Sequence, residues 1–408
     1  MNTTTSQTVT RPYSKMKMKP AEFISLSACT MMLTALGIDI MLPVFGELRK
    51  HFGLNPESTA AAQIIGFFFI GQIAQIIFGT LSDRFGRLAI LRWGFPLYIV
   101  GGIAAAFAPS LQIMYAARFI AGMGASAVFM TTIAGVRDRF VGDEMARTMS
   151  LILTIFLFTP VIAPFLGIAI LSVSSWQMVF LTPPIFATIV FIWSLRLEES
   201  LPRKKRLSLH PRAVLSSIRQ VITNKTFLRY TAVTTFLFTA LSSYVASSEH
   251  IIGEIYDRPK LFAWIFAGIG LLMACCTLIN SHLSKRYGAK QSIRWLLLVY
   301  AAVGTVLFIF SFFANASSNF AFVFSSVAVL MGINLAVEPN SSALAMEPMG
   351  NTAGIASSVY GTCFFFIGAS LGSIISNLMS RSVLPLIASI FVIGIVCLAL
   401  VFSDRRAS

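Results

Sequence analysis

Long apolar runs recur along this chain about a dozen times, each near the ~20 residues that a helix needs to cross a bilayer, with short polar breaks between them. The run from Leu384 to Phe402 holds no charged residue at all. A soluble core cannot absorb that much apolar length. Charged residues make up only 12% of the chain, against roughly 25% in soluble domains. The chain reads as an all-α polytopic membrane protein with twelve spans, placed near 23–45, 58–79, 90–108, 112–134, 148–170, 176–195, 228–250, 260–281, 293–313, 319–345, 354–379 and 383–402. The polar stretch Met1 to Glu22 leads into the first run without a short core and small-residue cleavage site, so span 1 is expected to be a retained anchor.

The net charge of +15 does not point to nucleic acid, because the basic residues sit between apolar runs. Of the 31 Lys and Arg, 25 fall on one side. That side holds the tail (Arg11, Lys15, Lys17, Lys19) and the loops with Arg84, Arg87 and Arg92, with Arg137, Arg139 and Arg147, and with Lys285, Arg286, Lys290 and Arg294. It also holds nine residues between Arg196 and Arg229, and Arg405 and Arg406. The other side has Arg49, Lys50, Arg258, Lys260 and Arg381, and Arg118 lies inside a span. The positive-inside rule then puts both termini in the cytoplasm, which requires an even number of spans.

The central polar stretch, with Arg203-Lys204-Lys205-Arg206, separates two halves of equal span number. A repeat supports the division: Leu81-Ser82-Asp83-Arg84-Phe85-Gly86-Arg87 and Leu283-Ser284-Lys285-Arg286-Tyr287-Gly288-Ala289 lie 202 residues apart, each after the second span of its half. The expected organisation is a tail (1–22), a six-helix bundle (23–195), a linker (196–227), a second six-helix bundle (228–402) and a short tail (403–408).

Nothing in the chain suggests an enzyme, a cofactor or a metal. Cys29, Cys275, Cys276, Cys363 and Cys397 lie within spans without Cys-x-x-Cys spacing, and His51, His210, His250 and His282 are scattered. No phosphate-binding Gly-x-x-x-x-Gly-Lys-Ser/Thr occurs. Charges inside spans carry the functional signal, because they are costly in hydrocarbon and face interior cavities. Asp39 in span 1 and Arg118 in span 4 each lie about six residues from the outer end, hence at matching depth at ~1.5 Å per residue. A carboxylate that alternately meets an arginine and a proton is a coupling element. Glu338, before Pro339 in span 10, and Glu249, near the outer end of span 7, are further candidates for a titrating group. Thr159-Pro160-Val161-Ile162-Ala163-Pro164-Phe165-Leu166-Gly167 puts two prolines and small residues inside span 5, where helices bend and approach closely. Thirty-six Phe and 17 Met provide material for a broad apolar pocket.

These residues resemble the major facilitator superfamily over nearly the whole chain, and within it the twelve-span drug:proton antiporters of the Bcr/CflA type. Gly79-Thr80-Leu81-Ser82-Asp83-Arg84-Phe85-Gly86-Arg87 looks like the superfamily signature between spans 2 and 3, departing at Leu88, where a basic residue is common. Arg118-Phe119-Ile120-Ala121-Gly122-Met123-Gly124 is similar to the span-4 motif whose arginine is linked to proton coupling. Ala163-Pro164-Phe165-Leu166-Gly167 resembles the span-5 antiporter motif, with Ala163 where glycine is frequent. Asp39-Ile40-Met41-Leu42-Pro43 resembles the acidic span-1 segment, and the stretches Pro339 to Met346 and Ala353 to Ser358 resemble the span 10–11 segment.

The resemblance implies two six-helix bundles that rock about a central site, and an Asp83 that meets the start of span 11 near Gly354, with Gly79, Arg84, Gly86 and Arg87 completing a cytoplasmic latch. It also implies proton-driven export of small lipophilic or cationic compounds. A proton symporter or facilitator for a nutrient, siderophore or amino-acid-like solute is the alternative on the same fold. The expected partners are a small-molecule substrate, protons and the lipid bilayer, with no nucleic acid. The expected state is a monomer in a bacterial inner membrane.

Overall fold

The computed structural model describes residues 18–140, 142–203, 206, 211–313, 319–379 and 382–403. Outside it lie the basic residues Arg11, Lys15, Lys17, Lys204, Lys205, Arg381, Arg405 and Arg406, together with His210. The described residues form helices and turns, with no strand among them. Among the described residues, eleven helices are long and apolar enough to cross a membrane: Pro20–His51, Ala60–Phe85, Arg87–Ala106, Leu111–Arg139, Arg147–Val173, Trp176–Ser194, Pro259–Tyr287, Ala289–Phe313, Phe320–Gly350, Gly354–Asn377 and Leu384–Phe402. These are spans 1–6 and 8–12.

Span 7 is the helix Lys225–His250, and hydropathy alone does not find it. Its run carries Thr231, Thr234, Thr235, Thr239, Ser242, Ser243, Ser247 and Ser248, all buried. Several of these hydroxyls bond back to their own helix: Thr235 donates to the Thr231 carbonyl at 2.7 Å and Thr239 to that of Thr235 at 3.0 Å. A span can be this polar because other helices, not lipid, surround it. Span 5 shows the opposite pattern, with Leu151, Leu153, Ile155, Phe158, Ile162, Leu166 and Ile168 exposed to the surroundings.

Several spans run longer than the hydropathy pattern predicts. Span 2 continues past Gly79 to Phe85, so the repeated basic turn is mostly helix, and Gly86 ends it with φ 101°. Gly288 ends span 8 in the same way with φ 81°. A left-handed residue at both places is the backbone form of the sequence repeat. Between spans 6 and 7, where the sequence suggests only a linker, the chain forms a helix, Pro211–Thr223, with Val221 buried and Leu215 and Ile222 exposed.

Spans 1, 2 and 11 are interrupted within their length. Span 1 is helical over Pro20–Asp39, turns through a 3-10 segment at Leu42–Val44, and resumes at Phe45–His51. Span 2 has a 3-10 segment at Gln72–Ala74, and span 11 a π-helical one at Cys363–Ile367. The halves meet along spans 2 and 11 and along spans 5 and 8.

Candidate functional site

The break in span 1 follows from Pro43, which has no N–H to offer the carbonyl of Asp39 four residues earlier. The Met41 N–H turns to the Ile38 carbonyl at 3.3 Å instead of Gly37. The freed Gly37 carbonyl is taken by Arg118, whose Nη2 donates to it. The guanidinium also lies 4.4 Å from the centroid of the Phe68 ring, a cation–π contact. Tyr98 closes the group by donating to the Leu33 carbonyl at 2.7 Å. Asp39 itself is 5% exposed and makes no hydrogen bond or ion pair among the described residues. The expected meeting of Asp39 and Arg118 is thus absent from this conformation: the arginine is held two residues away on the same turn.

Gly167 of the span-5 motif packs directly on the Ile40 carbonyl and on Pro43, beside that break. Ala163 is buried, and Pro160 faces span 8, 3.8 Å from where a Cβ on Gly270 would stand. The helix Gly142–Val173 carries Pro160 and Pro164 without interruption.

In the second half, Glu338 accepts a hydrogen bond from the Tyr360 hydroxyl at 3.1 Å. Between the halves stands a group of rings: Phe69 of span 2, Phe129 of span 4, Phe238 of span 7, and Phe364 and Phe365 in the π segment of span 11. Their centroids lie 5.4 Å apart for Phe69 and Phe238, 4.2 Å for Phe238 and Phe364, and 6.1 Å for Phe129 and Phe365. Composition pointed to such rings but not to which ones. The triplet Phe364-Phe365-Phe366 in an otherwise mixed run was the available signal.

Both ends of the interface are fastened. At one end, Arg49 is 3% exposed and donates to Glu249 through Nη1 and Nη2, each at 3.0 Å, and through Nη2 to Glu254 at 2.9 Å. This fork joins span 1 to span 7 across the halves. Glu249 is therefore an ion-pair partner here, neither a free titrating acid nor a wetted rim charge, and Arg49 is more than a loop charge. Gln63 donates to Asn377 at 2.6 Å and accepts from Ser373, joining spans 2 and 11 at the same end.

At the other end, Asp83 accepts from Arg87 Nη1 at 2.6 Å, and its second oxygen lies 3.5 Å from where a Cβ on Gly354 would be. A side chain at Gly79 would collide with Ser358 of span 11. Asp83, Gly79 and Gly354 thus meet across the halves. Arg87 stays within the first half, donating through Nε to Asp138 at 2.9 Å. Arg84 makes no hydrogen bond or ion pair among the described residues and lies 5.5 Å from the ring centroid of its neighbour Phe85. Gly86 is tight against Glu199, whose carboxylate accepts from the backbone N–H groups of Arg87 at 2.9 Å and Leu88 at 3.2 Å. Glu199 so caps the start of span 3 from the linker, 112 residues away. Arg49 and Glu199 were not legible as contacts, since each finds its partner more than a hundred residues away.

Residues 27–373 match the family model described as Major Facilitator Superfamily. The chain is 26% identical over 373 residues to a protein of Haemophilus influenzae named bicyclomycin resistance protein homolog, covering 90% of this chain and 91% of that one. It is 26% identical over 348 residues to an Escherichia coli protein named multidrug resistance protein MdtL, covering 84% and 85%. Among solved structures, the D-xylose-proton symporter superposes with a TM-score of 0.73 at 14% identity, covering 95% of this chain and 98% of the symporter. The nucleoside transporter NupG gives 0.70 at 13% identity, covering 94% and 98%. At such identities these two share the fold.

Proposed function

Because the chain belongs to the Major Facilitator Superfamily, a family of transporters rather than enzymes, we propose that it is a proton-driven exporter of small lipophilic or cationic compounds, working by alternating access. The observation that carries this reading is Asp39: a buried carboxylate without a partner among the described residues, at a proline break, two residues from the Gly37 carbonyl that holds a buried arginine, which also contacts the Phe68 ring. A proton neutralises the carboxylate in one state. When span 1 shifts, Arg118 exchanges the Gly37 carbonyl for the Asp39 carboxylate and the proton leaves. The relatives named for drug resistance support the substrate class, and the ring group between the halves is suited to flat apolar bodies.

The Asp83 end is assigned to the cytoplasm of a bacterial inner membrane, following the distribution of lysine and arginine. The Asp83–Gly354 contact then closes the inside, and the Arg49–Glu249 fork closes the outside. With both engaged, the conformation is occluded. Each half-cycle releases one fastening and keeps the other.

The test uses purified protein in liposomes with an imposed pH gradient and a fluorescent lipophilic cation. Uphill movement of the cation against the proton flow is expected. Movement of substrate and protons in the same direction would replace this reading with symport.

A further inference from the structure

At the centre of the interface, the 3-10 segment of span 2 (Gln72–Ala74) touches the π segment of span 11 (Cys363–Ile367). Irregular backbone at membrane depth is tolerated where protein or a cavity surrounds it, and π segments are frequent at functional sites. The span-2 segment and the first residue after it carry two side chains foreign to an apolar run. Gln72 is 1% exposed and Gln75 is fully buried. They face each other one turn apart, with Gln75 Nε2 3.5 Å from Gln72 Oε1. That leaves one donor, Gln72 Nε2, and one acceptor, Gln75 Oε1, buried without a protein partner among the described residues.

A purely structural role does not account for this pair. Two leucines would fill the space with no unpaired polar atom, whereas each unmade bond is costly in a dry interior. The acceptor lies against Gly361 so closely that any Cβ there would collide with it. Span 11 therefore covers Gln75 Oε1 in this closed conformation and uncovers it when spans 2 and 11 part at the Asp83 end. The ring group begins one turn away at Phe69, and Tyr360 adjoins Gly361.

We infer that Gln72 and Gln75 form a subsite for a cis-amide edge, the side-by-side N–H and C=O of a lactam or imide, carried on a flat apolar body that lies against Phe69 and Phe365. The ligand's N–H donates to Gln75 Oε1, and its carbonyl accepts from Gln72 Nε2. A trans amide points its two groups in opposite directions and cannot make both bonds. This deepens the exporter reading and rests on it for the direction of transport. The binding geometry itself stands without any proton gradient.

The test is equilibrium binding to the full-length protein in nanodiscs, with no gradient, using 2-quinolone and its N-methyl derivative. The two probes have nearly the same shape, and only the first has the N–H. The wild-type protein is expected to prefer 2-quinolone by roughly tenfold, the effect of one lost hydrogen bond with its acceptor left buried. Gln75→Leu and the gentler Gln75→Met should bring that ratio close to one. Because the ratio is taken within one protein, reduced yield of a variant does not alter it. Equal binding of the two probes by the wild type, binding of neither, or a preference unchanged in Gln75→Met would each overturn the subsite. A clear preference in a protein that nonetheless moves substrate along with protons would retain the subsite and overturn the exporter.

Discussion

Asp39 is a buried acid and Glu249 a half-buried one, and their surroundings assign them different work. Asp39 has no counter-charge among the described residues, so replacing it with asparagine removes a carboxylate without breaking an ion pair. Asp39→Asn is expected to abolish gradient-driven transport while leaving substrate binding within about twofold, checked by paired transport and binding assays on one preparation. Preserved uphill transport would remove Asp39 from the coupling role. Glu249→Gln acts on a fork, and Glu254 still holds one arm of Arg49. The loss is on the order of 2 kcal/mol, the low part of the range for truncating a buried charge pair. A cysteine placed at the Arg49 end of span 7 should react faster with a membrane-impermeant thiol reagent, by roughly tenfold or more. At this scale the sequence was informative about which residues matter, because a charge inside an apolar run has few harmless explanations. It did not disclose which atom Arg118 would choose. That depended on the Gly37 carbonyl, left without its Met41 N–H partner at the break beside Pro43.

Among the elements, the turn after span 2 shows how much one backbone angle carries. Gly86 has φ 101°, and the space where its Cβ would stand is held by Glu199. Gly86→Ala is expected to cost ~2 kcal/mol in backbone strain and to push Glu199 off the start of span 3. The checks are a lower apparent melting temperature in detergent and faster hydrogen exchange at the amides of Arg87 and Leu88. Unchanged exchange there would show that the cap is dispensable. The turn was legible as a motif, since a short basic stretch ending in glycine recurs in each half. The extra helical turns ahead of it were not, because Ser82, Asp83 and Arg84 are as compatible with a helix end as with a loop. Span 7 was legible from its length and phase, although its hydroxyls hide it from a hydropathy threshold. The helix Pro211–Thr223 was missed because thirteen residues of mixed polarity between basic clusters read as linker.

For the whole molecule, the proposed cycle sets the two fastened ends against each other, one loosening while the other remains closed. Asp83→Asn removes a charge from the start of the helix Ala353–Thr362, a contribution of ~0.3–1 kcal/mol, up to ~2 when partly buried. That shifts a balanced pair of states several-fold without unfolding the protein. Distances between spin labels after spans 2 and 10 should lengthen on average, with turnover slowed and pocket affinity little changed. Lost transport with an unaltered distance distribution would rule out the latch.

The docking of Glu199 has a mechanical meaning for that motion. The chain leaving span 6 is pinned to the first half at Glu198 to Leu201, and Pro211–Thr223 packs against the start of span 11 in the second half. Between those anchorages run nine residues, 202–210, whose full extension is about 30 Å at ~3.3–3.6 Å each. The central segment is therefore a leash of fixed length tied at both ends, and the gape of the transporter on that side cannot exceed what the leash pays out.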